Sequence, residues 1–85
     1  MFFVYILKSK KDNKLYIGYT PDLRKRVKEH NLGFVNSTKS RKPLHLVYYE
    51  AYTSKQDAVK REHNLKLRAK ALRQLKTRIT NCLEV

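Results

Sequence analysis

Residues 14–31 read KLYIGYTPDLRKRVKEHN, and the periodicity of this stretch changes halfway along it. The first half alternates as a strand does, whereas the second half has the spacing of a basic amphipathic helix. Thr20, Pro21 and Asp22 lie at the junction and predict a helix start, with the hydroxyl as the cap, the proline in the first position and the acid in the first turn. Gly33 is predicted to stop this helix.

The segments on either side of this stretch complete an α+β pattern. The N-terminal segment FFVYILK is apolar on both alternating faces, which suits a strand covered on two sides. The predicted strands span residues 2–8, 14–20 and 45–52, and the predicted helices span residues 22–31, 54–66 and 68–79. We therefore expect a single domain over residues 1–85, an α+β fold with a three-stranded antiparallel sheet flanked by helices in the order ββαβαα. Fraying is expected in residues 80–85.

Charge is the strongest compositional signal. Twenty Lys and Arg against seven Asp and Glu give a net charge of +13. Such a field attracts polyanions, so nucleic acid is the expected partner and an anionic membrane surface is the weaker competitor. No apolar run approaches the roughly 18 residues of a membrane span, and no signal peptide is recognisable. Cys82 is the single cysteine, and the three His show no zinc spacing. A cytoplasmic protein is expected.

The first helix carries two classes of cation. At 100° per residue, Leu23, Val27 and His30 share one stripe, and Arg26 lies at its edge. The remaining cations point away from this stripe; they are Arg24, Lys25 and Lys28. Arg26 is therefore expected to lean toward the sheet, where an unpaired charge is costly to bury.

The second helix places a carboxylate on its inward face, because Glu62 shares a stripe with Ala58 and Leu65. Two inward charges of opposite sign have two explanations. One is a structural salt bridge between Arg26 and Glu62. The other is a cleft in which Glu62 faces a metal ion and Arg26 faces a phosphate.

The hairpin bears on this choice. If its loop comprises residues 9–12, Tyr5 pairs directly opposite Tyr16, and two phenols stand side by side on one sheet face. Gly18 lies on the same face and is expected to leave open space, as a strand glycine often does where a ligand approaches. The ordinary alternative is that the two tyrosines only pack against their neighbours.

On these residues the chain resembles the GIY-YIG nuclease domains. Tyr16-Ile17-Gly18 matches the second signature, and Phe3-Val4-Tyr5 stands in place of the first, of which it keeps only the tyrosine. Arg26 follows Tyr16 at the family's spacing, and Glu62 falls at the position of the helical glutamate. The resemblance covers nearly the whole chain and is closest to small, single-domain bacterial members. Tyr19 follows YIG where some members have a lysine or a small residue. In some members a polar residue downstream of the helical glutamate assists it, and here Gln74, Thr77 or Asn81 could take that role.

The resemblance implies metal-dependent hydrolysis of phosphodiester bonds. Glu62 would hold one divalent cation, Mg²⁺ or Mn²⁺, and Arg26 would clamp the scissile phosphate. Tyr5 would be the general base for an attacking water, with Tyr16 orienting or assisting it. His30 would contact substrate or assist proton transfer; the alternative is a partly buried residue that stacks on Arg26.

The basic loop between the first helix and the third strand is the expected nucleic-acid contact, because its cations alternate with hydroxyl donors. Its predicted phosphate-binding residues, together with Gly18 on the sheet, are Lys39, Ser40, Arg41 and Lys42. The cations of the last two helices, including Lys66, are expected to form only a general electrostatic face. The function expected from these features is a DNA endonuclease, and the alternative is a basic module that binds DNA or RNA without cleaving it.

Overall fold

The computed structural model describes residues 1–84 and contains one sheet with helices on both of its faces. The element order is ββαβαα, and the strand order is β2-β1-β3 with both pairs antiparallel, so the predicted α+β fold is confirmed. The elements are β1 (Phe2–Ser9), β2 (Leu15–Thr20), α1 (Leu23–Asn31), β3 (Leu44–Tyr52), α2 (Lys55–Leu67), α3 (Ala69–Arg78) and a 3₁₀ turn (Cys82–Glu84). Within the predicted frayed end, Leu83 packs against the core, and Val85 lies outside the described residues. Within residues 1–84, every helix is too short or too polar to cross a lipid bilayer.

The central strand β1 is covered on both faces, as its continuous apolar pattern predicts. Val4 and Ile6 face α2 and α3, whereas Tyr5 and Leu7 lie on the face that α1 covers. Because side chains alternate along a strand, the sequence FFVYILK supplies both layers of the core at once. Tyr5 thus lies in the middle of the sheet, within the layer beneath α1.

The hairpin register differs from the predicted one. Tyr5 pairs with Gly18, and Tyr16 pairs with Leu7. The turn lies one residue further along the chain than expected, since the Ser9 amide donates to the carbonyl of Lys14. Asn13 adopts a left-handed φ of 59° in this turn, a conformation that asparagine tolerates well. The one-residue shift of the turn moves the pairing by two residues, which leaves both tyrosines on the predicted face.

Helix α1 is fixed at both ends by local hydrogen bonds. Its N-cap is Asp22, whose carboxylate accepts from the Lys25 amide, so the predicted hydroxyl cap at Thr20 is wrong. At the other end, Gly33 has a φ of +82°, and the amides of Gly33 and Phe34 donate to carbonyls of the last turn. This pattern is a Schellman motif, and it explains why the helix stops before Gly33.

Helix α2 is tied to β3 by a carboxylate that accepts four hydrogen bonds. The Glu50 carboxylate accepts from the hydroxyls of Tyr48 and Tyr52 and, in a two-point contact, from Arg61 at 2.9 and 3.1 Å. Burial alone would raise the pKa of Glu50, but these hydrogen bonds outweigh it and lower the pKa below its usual value. The network fixes the side of α2 that carries Arg61 against the outer strand of the sheet.

Glu50→Gln is expected to destabilise the fold by about 2–3 kcal/mol, because its amide nitrogen would face one of the two Arg61 donors and one tyrosine hydroxyl and leave both without an acceptor. For a domain of this size the midpoint of thermal unfolding should fall by about 8–16 °C. Because the pKa of Glu50 is lowered in the fold, its contribution should be present above pH ~4.3 and lost as the pH falls through the folded pKa. Calorimetry checks both effects, with Glu84→Gln as the exposed control. Equal midpoints for the two variants would contradict a structural role for the network.

Candidate active site

The Tyr5 ring fills the space that Gly18 leaves on the sheet. A Cβ built at Gly18 would lie 2.4 Å from both Cζ and the hydroxyl oxygen of Tyr5, far inside van der Waals contact. The expected open space beside Gly18 is therefore wrong, since the glycine admits a neighbouring side chain. Gly18 is buried, which gives no support to its predicted contact with nucleic acid.

Tyr5, Tyr16 and His30 form one packed group, here called the tyrosine–histidine cluster. The predicted direct pairing of the two tyrosines is wrong, and their ring centroids are 6.3 Å apart. The His30 ring lies edge-on to both phenols, with centroid distances of 5.7 Å to Tyr5 and 5.0 Å to Tyr16. The imidazole, absent from the predicted pairing, is what joins the two tyrosines.

His30 is completely buried, with 0% of its surface exposed, and both of its ring nitrogens have partners. Its Nε2 is 2.8 Å from the Tyr5 hydroxyl, and its Nδ1 is 2.7 Å from Oγ1 of Thr38. Burial, assisted by the nearby charge of Arg26, lowers the pKa of His30 to about 4, so the imidazole is neutral at pH 7. Complete burial argues against direct substrate contact, and the partners on the ring are Tyr5, Tyr16 and Thr38 instead of a stacked Arg26.

This buried imidazole predicts a specific acid sensitivity. In the unfolded chain His30 binds a proton near pH 6.5, whereas in the fold it does so only near its pKa of about 4. Stability should therefore fall as the pH drops from ~6.5 to ~4, by about 3 kcal/mol in total. Urea unfolding measured across this range checks the effect. His30→Gln removes the titrating group, and an unchanged pH dependence in that variant would assign the acid sensitivity to other residues.

Tyr5 is a neutral phenol in the free protein. Burial raises the pKa of Tyr5 to about 12, and the adjacent Arg26 guanidinium only partly opposes this effect. The negative charges of Tyr16, when ionised, and of Glu62 favour the neutral form further. A role as general base consequently needs additional positive charge near the hydroxyl, which the protein alone does not provide.

Arg26 is set apart from the other cations of α1, as the helical spacing predicts. Its side chain is 38% exposed and interacts with both the Tyr5 hydroxyl and the Glu29 carboxylate, the latter at 3.2 Å. It lines a cavity of about 290 Å³ at the start of α1, together with Tyr19 and Lys25. The salt bridge between Arg26 and Glu62, one of the two explanations left open by the sequence, does not form, because Arg26 pairs with Glu29 and Glu62 has another partner.

Glu62 instead pairs with a lysine that sequence reasoning assigned to the general electrostatic face. The Glu62 side chain is 13% exposed, and its Oε2 lies 2.9 Å from Nζ of Lys66, one helical turn later. The same ammonium lies 5.8 Å from the centroid of the Tyr16 ring. Lys66 thus connects the carboxylate of α2 with the tyrosine–histidine cluster. The i,i+4 spacing of Glu62 and Lys66 is the sequence signal that could have revealed this pair.

The donor set fits a hydrated divalent cation better than an enclosed one. Among residues 1–84, no group of three or more His, Cys, Asp or Glu side chains could surround a metal ion. Mg²⁺ commonly retains several waters and binds through one or two carboxylates plus substrate phosphates. Glu62 is a mostly buried carboxylate paired with Lys66 and matches that mode, provided that the substrate supplies further oxygens.

The basic loop is partly structural. Thr38 is fully buried against His30, and Nε of Arg41 pairs with Asp12 of the hairpin turn at 2.8 Å. Arg41 is therefore engaged with the protein itself, which argues against its predicted phosphate contact. Lys39, Ser40 and Lys42 are exposed, as a contact surface requires. Thr38 is a site residue that sequence reasoning missed, since nothing local distinguishes it from Ser37 or Ser40.

The three candidate assisting residues lie outside this arrangement. The partners of Glu62 in the described chain are Lys66 and His63, and neither Gln74 nor Asn81 is among them. The Thr77 hydroxyl donates to the Gln74 carbonyl within its own helix. The predicted polar assistant of Glu62 thus stays a prediction without a structural candidate.

Fold and site together define a class of protein: a small basic α+β domain in which two hairpin tyrosines lie near an arginine of one helix and near a lysine–glutamate pair of another. The model of the GIY-YIG catalytic domain matches residues 1–77 of the chain. The chain belongs to the GIY-YIG family, and the resemblance seen in its sequence is confirmed.

Known relatives are proteins of similar length. The UPF0213 proteins of Staphylococcus aureus strains Mu50 and N315 are each 48% identical to this chain over 79 residues, which cover 89% of this chain and 95% of theirs. The solution NMR structure of a UPF0213 protein from Bacillus halodurans is 38% identical, with a TM-score of 0.57, over 91% of this chain and 84% of that one. These relatives carry a family designation without a stated activity.

Proposed function

We propose that the protein is a metal-dependent endonuclease that hydrolyses phosphodiester bonds of DNA. The observation that carries the proposal is the arrangement around Tyr5. Arg26 of α1 adjoins the Tyr5 hydroxyl, whereas Glu62 of α2 pairs with Lys66, whose ammonium lies over the ring of Tyr16. Arg26 and Glu62 do not pair with each other. A structural bridge would join the two charges, whereas a phosphodiester site keeps an anion-binding cation and a metal-binding carboxylate apart.

Arg26 is the proposed phosphate clamp. More than a third of its side chain is exposed, and its local partner Glu29 is also partly exposed, so a phosphate can compete for the guanidinium at low cost. A guanidinium offers planar, two-point hydrogen bonding to phosphate oxygens and remains charged at any physiological pH. Arg26 would hold the scissile phosphate and balance the charge that grows on it in the transition state.

Glu62 is the proposed holder of Mg²⁺ or Mn²⁺, and the cation would compete with Lys66 for the carboxylate. When bound, such an ion supplies Lewis-acid stabilisation of phosphate oxygens and lowers the pKa of bound water. Tyr5 is the proposed general base, with Tyr16 orienting the water. Because burial holds the pKa of Tyr5 at about 12, this role depends on the positive charge that gathers around the phenol when the substrate binds.

The charge of the whole domain suits a polyanionic substrate. With a net charge of +13, the protein should bind nucleic acid with a steep dependence on salt concentration. Lys39, Ser40 and Lys42 are proposed to contact phosphates without reading sequence. DNA is the proposed substrate, which agrees with the cytoplasmic location predicted from the sequence.

A non-catalytic module that binds DNA or RNA is the second candidate. The observation that favours it is that Lys66 already neutralises Glu62, and Tyr5 is protonated in the free protein. Such a module would bind nucleic acid with the same salt dependence but would need no metal.

Cleavage assays separate the two candidates. Single-stranded, duplex and branched DNA, and RNA of matching sequence, are incubated with the protein in Mg²⁺, in Mn²⁺ or in chelator. Cleavage of DNA with metal, abolished by chelator, is the expected result. Binding that weakens steeply with salt but produces no cleavage on any substrate would support the module. Cleavage that persists in chelator would contradict the proposed role of Glu62.

A further inference from the structure

A continuous hydrogen-bonded chain runs from the basic loop to the centre of the sheet: Thr38, His30, Tyr5. Thr38 and His30 are both 0% exposed, and Tyr5 is 1% exposed. Among residues 1–84, Oγ1 of Thr38 has one hydrogen-bond partner, Nδ1 of His30. The Tyr5 end differs, because its hydroxyl adjoins Arg26, which lines an open cavity.

A count of the available hydrogens indicates which group donates and which accepts in each of these hydrogen bonds. A neutral imidazole has one N–H donor and one acceptor nitrogen, and each hydroxyl has one hydrogen to donate. If Nδ1 carries the hydrogen, it donates to Thr38, and the Thr38 hydroxyl hydrogen is left without an acceptor in a place closed to water. If Nε2 carries it, Thr38 donates to Nδ1, and the spare hydrogen belongs to Tyr5, whose hydroxyl adjoins the cavity-lining Arg26. Buried donors are almost always paired, and the second arrangement is favoured because it leaves the spare hydrogen on the side of Arg26, next to an open cavity, instead of at the fully enclosed Thr38.

We propose that Thr38 is a positioning residue that fixes His30 in its Nε2–H tautomer, so that His30 donates to the Tyr5 oxygen and the Tyr5 hydrogen points away from His30, toward the side on which Arg26 lines the cavity. The tautomer itself stands independently of any activity, whereas its role in catalysis rests on the proposed endonuclease function.

This arrangement changes how Tyr5 would lose its proton. The oxygen accepts a hydrogen bond from His30 and also interacts with Arg26, and both interactions favour the phenolate once the proton has left. The proton goes to the cavity side, to solvent or substrate, and His30 keeps its own hydrogen throughout. A relay into His30 would instead place a positive charge on a buried imidazole beside Arg26, which is unfavourable since its pKa is already about 4.

The tautomer is tested on the intact protein by ¹⁵N NMR of the histidine rings at pH 7, with Asn substituted in turn for each His to assign the signals. The expected result is a protonated Nε2 and an unprotonated Nδ1 for His30. A hydrogen on Nδ1 overturns the proposal, whether or not the protein cleaves DNA. Thr38→Ser keeps the hydroxyl and should keep this pattern. Thr38→Val removes it and should give a measurable fraction of the Nδ1–H form; an unchanged pattern in a folded Thr38→Val protein would show that Thr38 does not set the tautomer.

The catalytic consequence is tested with the same variants once cleavage is established. Thr38→Val should lower the cleavage rate about tenfold, the size expected for the loss of one hydrogen bond. Thr38→Ser keeps the hydroxyl, so its cleavage rate should stay close to that of the native protein. His30→Gln should retain activity above that of His30→Ala, because an amide can donate to Tyr5 but cannot carry a proton. Equal loss in Gln and Ala variants would indicate a relay and would overturn the donor role. Absence of cleavage by the native protein would remove the endonuclease proposal while leaving the NMR result to decide the tautomer.

Discussion

Glu62→Gln should lower metal-dependent DNA cleavage by about 10³-fold, because an amide replaces the carboxylate that is proposed to hold the cation. Duplex binding in the absence of metal should be unchanged or slightly tighter, since one negative charge is removed and Lys66 is released to meet a phosphate. The free energy of unfolding should fall by about 1 kcal/mol, near the upper end for an ion pair of this kind, because Lys66 is half-exposed whereas Glu62 is only 13% exposed. Single-turnover cleavage, filter binding and calorimetry on one preparation measure all three quantities.

Asp57→Asn is the matched control for this experiment. It neutralises a carboxylate on the same helix that lies outside the site and is exposed in the first turn. Its cleavage rate should remain within about threefold of the native value. Full activity in Glu62→Gln, with the metal requirement retained, would show that another group holds the cation.

Arg26→Ala is expected to lower cleavage by about 10²–10³-fold, the usual effect of removing one charge-stabilising donor from a transition state. Its effect on stability should be below about 1 kcal/mol, because the Arg26–Glu29 pair is partly exposed. Cleavage measured at saturating DNA reports the chemical step, whereas salt titrations of binding report the loss of one phosphate contact.

Arg24→Ala provides the comparison on the same helix. Arg24 is exposed and carries the same charge two residues away, so this variant reproduces the loss of one positive charge without touching the Tyr5 hydroxyl. Its rate should change by less than about threefold. Equal losses for Arg24→Ala and Arg26→Ala would mean that the helix contributes only a general positive field.

Much of the fold could be predicted from the sequence because its signals are local. The alternation of β2, the two-faced pattern of β1 and the cap at Ser54 each depend on residues close in the chain. Helical spacing also separated Arg26 from Arg24 correctly, and it identified Glu62 as inward. Such features follow from periodicity, which is a property of a single segment.

The register and the pairing of charges could not be predicted in this way. A positive φ at Asn13 sets where the turn begins, and nothing in the polar run SKKDN distinguishes that turn from one placed a residue earlier. Glu62 and Lys66 lie one turn apart on one helix, but the sequence also offers Arg26 as a cation for Glu62 and does not decide between the two. Thr38 reaches His30 only after the loop folds back beneath α1, a contact that depends on tertiary structure alone.

The Glu50 carboxylate, which accepts four hydrogen bonds on the outer strand β3, also influences the position of the proposed metal site. Arg61, which binds Glu50, immediately precedes Glu62 in α2. One turn of this helix is therefore held against β3 by Arg61 and carries the proposed metal ligand Glu62 as its next residue. The rotation of α2 about its own axis is therefore set by a strand that carries no proposed catalytic group. Substitutions at Glu50 that the fold survives should alter the apparent metal affinity without any change in the groups that meet DNA. Substitutions in the outer strand can therefore adjust the proposed activity of this small domain from a distance.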